Sequence, residues 1–193
     1  MVSGSALVGG LAVALALVGV VAYSVMVYNG LVRLRRRVNK AESDIDTLLK
    51  QRSDELPKLI DTAQEYMGYE RDVLQRITEA RTKVQEANGP GETADANEEL
   101  RGALGEFFAV AEDYPELRSN ENFMQLQDRI SSVEERIADR RELYNDSVNT
   151  YNIRINQIPY NLFANLMGYT EKELFEASEG ERADVDITAE FNR

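Results

Sequence analysis

Cysteine, histidine and tryptophan are all absent from the 193 residues, and proline occurs only four times. Without cysteine there is no disulfide and no thiolate nucleophile. Without histidine, the usual general base near neutral pH and the commonest metal ligand are both missing. A metal site would have to use carboxylates alone, which suits a hard ion such as Mg²⁺ or Ca²⁺. The histidine-bearing di-iron bundle motif is excluded. Bases are also in deficit, 22 Lys and Arg against 34 Asp and Glu, for a net charge of −12. Such a surface repels nucleic acid, whose phosphates need clustered bases. Lysine is scarce among those bases, 5 against 17 arginines. An acidic, lysine-poor chain of this kind fits a high-salt cytoplasm, where net charge keeps proteins soluble.

What the chain does contain begins with one long uncharged run. Ala6 to Val27 is 22 residues without a charged side chain, followed at once by a basic cluster, Arg33, Arg35, Arg36, Arg37 and Lys40. A helix of that length rises ~33 Å, enough to cross a hydrocarbon core of about 30 Å. Residues 1–5 carry no charged side chain, so the positive-inside rule predicts a short extracytoplasmic amino terminus, a single span over 6–27, and a cytoplasmic body at the cell membrane. A cleaved signal peptide would need a charged leader, a shorter apolar run and a small-x-small site, and these are missing. Gly9, Ala12, Ala16 and Gly19 give the span a small-residue side of the kind that packs helices together. A homo-oligomer is compatible with the sequence. So short a leader leaves no room for an external sensor of chemoreceptor type.

From Tyr28 onward the spacing is helical. The seam runs in steps of three and four through Leu31, Leu34, Val38, Ala41, Ile45, Leu49, Arg52, Leu56, Leu59, Ala63 and Tyr66, apolar but for Arg52, which is heptad packing and predicts coiled-coil-like contacts. Asn88-Gly89-Pro90-Gly91 reads as a stop. A third helix is expected from about Thr93 to Pro115, and a fourth, capped by Ser119 or Asn120, to Pro159. The first helix is placed from Tyr28 to Met67, bent at Pro57, with its turn near 67–69, because the first and fourth helices then match in length. The predicted fold is an all-α, antiparallel up-and-down four-helix bundle over 28–169 after the transmembrane helix. Residues 170–193 are read as an acidic, disordered tail, with Thr170 and Glu173 as a capping box for one short turn at its start.

That register places Glu134 near Arg52, Arg141 near Asp46 and Glu70 near Arg118. Such pairs inside a seam fix helix register. The competing reading is a carboxylate-only ion-binding or enzymatic bundle at the membrane that uses Asp46, Glu70 and Glu134. It requires these to converge, whereas the register spreads them along the bundle. Tyr144-Asn145 and Tyr151-Asn152, seven apart, share a helix face; such a stripe suits a bound ligand, but core filler whose hydroxyl and amide groups find partners across the seam is the expected reading. The sequence assigns no catalytic, cofactor or metal-binding residue. Tyr160, Leu162, Phe163, Leu166 and Met167 form an apolar segment after Pro159, suited either to the bilayer interface or to closing the core.

Several stretches together resemble the LemA family: YNGLVRLRRRVNKAESDID, LPKLIDTAQEYMGYE, ITEAR, AEDYPELRSNENFMQLQ and EERIADRRELYNDSVNTYNIRINQIPYNLFA. The likeness runs from the span to about Tyr169. It implies a membrane-anchored antiparallel four-helix bundle with no established enzyme activity. Glu42 departs from the pattern, since the family usually has an aromatic there, and the packing near Tyr144 is expected to differ accordingly. The functional expectation is a structural or adaptor module that holds a protein partner, with no nucleic acid and no cofactor.

Overall fold

The computed structural model describes residues 4–68 and 70–176, with side chains from Val8 onward. These residues form six helices and no strand: α1 (Gly4–Gln64), α2 (Arg71–Glu86), α3 (Gly89–Ala111), α4 (Pro115–Arg118), α5 (Glu121–Asn156) and α6 (Tyr160–Leu166). They fall into two compact units. The first takes the described residues up to Ala41 together with Asp146–Lys172; the second takes those of Glu42–Asn145 and those from Glu173 to Glu176.

The second unit is a four-helix bundle. Leu56 and Leu59 of α1, Ile77 of α2, Leu100 and Phe107 of α3, and Phe123 and Ile130 of α5 share its buried core. Ion pairs mark the antiparallel order. Arg76 pairs with Glu106 and Lys83 with Glu99, stepping in opposite senses along α2 and α3. Arg52 with Glu134 and Glu55 with Arg129 do the same between α1 and α5. Pro57 lies inside α1 and does not end it. The chain turns after Gln64 instead, where Met67 N–H reaches Ala63 O at 2.8 Å.

The Gly-Pro-Gly stop is corrected in part. α2 ends before it, yet α3 starts at Gly89 with Pro90 in its first turn, not at Thr93. A first-turn proline gives up an N–H that has no intrahelical partner anyway. Glu92 completes the start by accepting the Asn88 N–H at 2.9 Å. Likewise Pro115 opens the extra one-turn helix α4, burying Leu117, after α3 has already ended at Ala111. Asn120 caps α5, its Oδ1 accepting from Phe123 N at 3.1 Å.

In the first unit, the large apolar side chains of α1 from Val8 to Met26 stay 50–70% exposed. Burial begins at Val27, Leu31 and Val38, joined by Val148, Tyr151 and Ile155 of α5 and Ala164 of α6. Gly168, at φ +65, ends α6. Its N–H bonds Asn165 O and the Tyr169 N–H bonds Ala164 O, the two bonds of a Schellman cap. The capping box expected at Thr170 and Glu173 does not form. Residues 170–176 are non-helical, and 177–193 lie outside the described residues.

Candidate functional site

Arg52 is fully buried in the second unit, and its Nη1 donates to Glu134 Oε1 at 2.5 Å. The other expected pairs are replaced. Arg141 donates to Glu98 of α3 at 2.6 Å, not to Asp46, because α3 presents a carboxylate closer than α1 does. Glu70 accepts from the Tyr114 hydroxyl at 3.3 Å, while Arg118 is exposed on α4, the turn that the sequence register left out. Asp46, Glu70 and Glu134 do not converge. Among the described residues no three acids form a metal-sized cluster.

The Tyr-Asn pairs have a different role from the one expected. In the first unit the Tyr151 hydroxyl donates to Thr170 O at 3.1 Å. Asn152 Nδ2 donates to Lys172 O at 2.8 Å, and its Oδ1 accepts the Lys172 N–H at 2.8 Å. In the second unit the pattern repeats. Tyr144 OH donates to Glu173 O at 2.9 Å, Asn145 Nδ2 donates to Phe175 O at 3.2 Å, and Asn145 Oδ1 accepts Phe175 N–H at 2.8 Å. Each carboxamide therefore exchanges both its bonds with one backbone residue, as a neighbouring β-strand would. Chain geometry explains the spacing. Seven helical residues rise ~10.5 Å and three extended ones ~10 Å, so a step of seven in α5 matches a step of three in the strap.

Rings anchor the strap. Phe175 is buried edge-on to Tyr144, 6.4 Å between centroids, with the Arg141 guanidinium 5.2 Å from its ring. In the first unit Tyr169 lies 6.3 Å from the Tyr151 ring, beneath Arg35 at 4.8 Å. Glu173 rests on the start of α3. A Cβ added to Gly91 would meet its Oε1 at 2.5 Å, so a larger residue there would make the Glu173 carboxylate swing aside. No composition or periodicity signal marks the strap itself; the seven-residue Tyr-Asn repeat is the one trace it leaves in the sequence.

Glu42 lines a cavity of about 180 Å³ with Ile45, Asp46, Pro90, Tyr144 and Phe175. Asp46 is exposed at this site, and desolvation by the walls raises its carboxyl above the ordinary value. Burial, followed by the charges of Glu42 and Glu173, pushes the Tyr144 hydroxyl up to about 12. The fold thus favours the protonated phenol. Its contribution to stability is complete below the ordinary phenol value of 10 and is lost as pH rises toward about 12. A spectrophotometric titration should find Tyr144 ionising together with alkaline unfolding. Glu42→Gln should bring that ionisation down, and an unshifted curve would remove Glu42 as a cause.

The cluster Arg33, Arg35, Arg36, Arg37 and Lys40 is exposed on α1. Of the apolar segment, Leu162 and Leu166 are exposed, while Tyr160, Phe163 and Met167 are half-buried. An exposed apolar helix leading into an antiparallel bundle, strapped by its own following segment, defines a membrane-associated all-helical protein. The chain belongs to the LemA family, whose profile matches residues 41–189. It is 30% identical over 164 residues to "Protein LemA" of Metamycoplasma hominis, covering 83% of this chain and 74% of that one. It is also similar to "Magnetosome protein MamQ 2" of Paramagnetospirillum magneticum, 26% identical over 188 residues, 84% of this chain and 69% of the other. "Magnetosome protein MamQ" of Magnetospirillum gryphiswaldense is 23% identical over 187 residues, 83% and 69% respectively. None of these names denotes an enzyme.

Proposed function

We propose that this protein is a single-pass, membrane-anchored scaffold whose cytoplasmic bundle binds a protein partner and performs no catalysis. The carrying observation is where the polar side chains go. Arg141 and Glu98, Glu70 and Tyr114, and both Tyr-Asn pairs bond within the fold itself, and the buried Arg52 points its Nη1 at Glu134. A catalytic site needs such groups poised toward a substrate. The span over 6–27, the body over 28–169 and the one-sided arginine cluster support an N-out, C-in arrangement at the cell membrane.

Two measurements test this reading. A cysteine at Ser3 should react with a membrane-impermeant thiol reagent in intact cells, and one at Ser178 should not; the chain has no cysteine of its own to confuse the signal. The opposite pattern would reverse the orientation. Proximity labelling from the turn between α1 and α2 should recover a reproducible set of neighbours, and its absence would remove the scaffold reading.

A further inference from the structure

Ile158, in the turn before α6, and Leu162 and Leu166 on it are 83%, 66% and 85% exposed. Leu162 and Leu166, four apart on α6, share a face, and Ile158 adds its exposed side chain from the turn that leads into the helix, so this segment presents an apolar surface. The opposite side is spoken for: Ala164 is buried, and Phe163 and Met167 are half-buried. A water-facing element gains nothing from such a surface, and a contiguous apolar patch marks a binding surface.

The same unit shows what covers it. A Cβ built on Gly30 would stand 3.9 Å from Tyr160 Cε1, so α6 begins beside Gly30. Gly30 lies three residues beyond Val27, where the exposed apolar run of α1 gives way to burial. The patch therefore sits at the level where the span leaves the hydrocarbon. Arg154 stacks on the Tyr160 ring at 4.7 Å and Arg35 on the Tyr169 ring at 4.8 Å. Aromatic bodies with cations over them suit the head-group layer, where the ring meets acyl chains and the charge meets phosphate. We infer that residues 158–167 form a second membrane contact, lying in the plane of the head-group layer beside the span. This rests on the reading that Ala6–Val27 crosses the bilayer. The occupant of the patch is the lipid surface itself, because the patch continues the apolar exposure of α1 at the same end of the unit.

The chain has no tryptophan, so single reporters are unambiguous. Full-length protein would be reconstituted in phosphatidylcholine–phosphatidylglycerol vesicles, with and without brominated acyl chains, carrying Leu162→Trp, Leu166→Trp, Leu17→Trp in the span or Met124→Trp on the exposed face of α5. Circular dichroism would confirm equal helicity. The expected result is blue-shifted emission and several-fold stronger quenching at Leu162→Trp and Leu166→Trp than at Met124→Trp. Quenching at Leu17→Trp alone, or at only one of the two α6 positions, would overturn the in-plane contact and leave the span intact. No quenching at Leu17→Trp would refute the span and, with it, the inference.

Discussion

Glu134→Leu should destabilise the protein by about 3–5 kcal/mol, the range for stranding one partner of a buried ion pair, whereas Arg52→Leu should cost far less. The asymmetry follows from exposure. The Arg52 side chain is 0% exposed and that of Glu134 is 22%. Arg52 Nε and Nη2 are buried without a protein partner, so Glu134 is the acceptor this guanidinium depends on. Removing Glu134 leaves a full positive charge in the core. Removing Arg52 leaves a carboxylate that can turn toward water, and it also relieves the unsatisfied nitrogens. The double variant should recover most of the Glu134→Leu loss. Denaturant titration in detergent, followed by circular dichroism, reads all three. Equal losses from the two single variants would contradict this account.

Asn152→Asp should release the strap even though it is nearly isosteric. The carboxylate can still accept the Lys172 N–H, but it opposes an oxygen to Lys172 O where Nδ2 now donates at 2.8 Å. Losing that donor and setting acceptor against acceptor should cost on the order of 2 kcal/mol. The new carboxyl would be favoured protonated, so its folded-state pKa is raised. Stability should return as pH falls through that value and be lost as pH rises. Asn145→Asp should behave alike at Phe175. Hydrogen exchange of the Lys172 and Phe175 amides gives the local reading, and unchanged protection in both variants would sink the account of the paired carboxamides.

The helical architecture was legible because its determinants are local or periodic. The three-and-four spacing of Leu31 through Ala63 marks the buried face of α1, and matched helix lengths placed its end near Gly68 and not at Pro57. The Arg52–Glu134 contact followed from the same register. The register points Arg141 at Asp46 because it sets α1 against α5 alone, whereas its partner Glu98 comes from α3. Gly89-Pro90-Gly91 reads as a stop but opens α3, because proline and glycine punctuate helix beginnings as well as ends. The strap was illegible for a deeper reason. Asn145 and Asn152 hold its backbone, and every residue type except proline offers the same N–H and C=O.

That mode of holding governs how the segment can vary. Lys172 enters both bonds to the Asn152 carboxamide through its main chain, so a saturation library should accept nearly any residue there except proline, which lacks the N–H given to Asn152. At Phe175, whose ring is buried against Tyr144, the library should narrow to large apolar residues. A strap held in this way asks little of its own side chains beyond the aromatic anchor, and places the demand for particular residues on the Tyr-Asn repeat of α5.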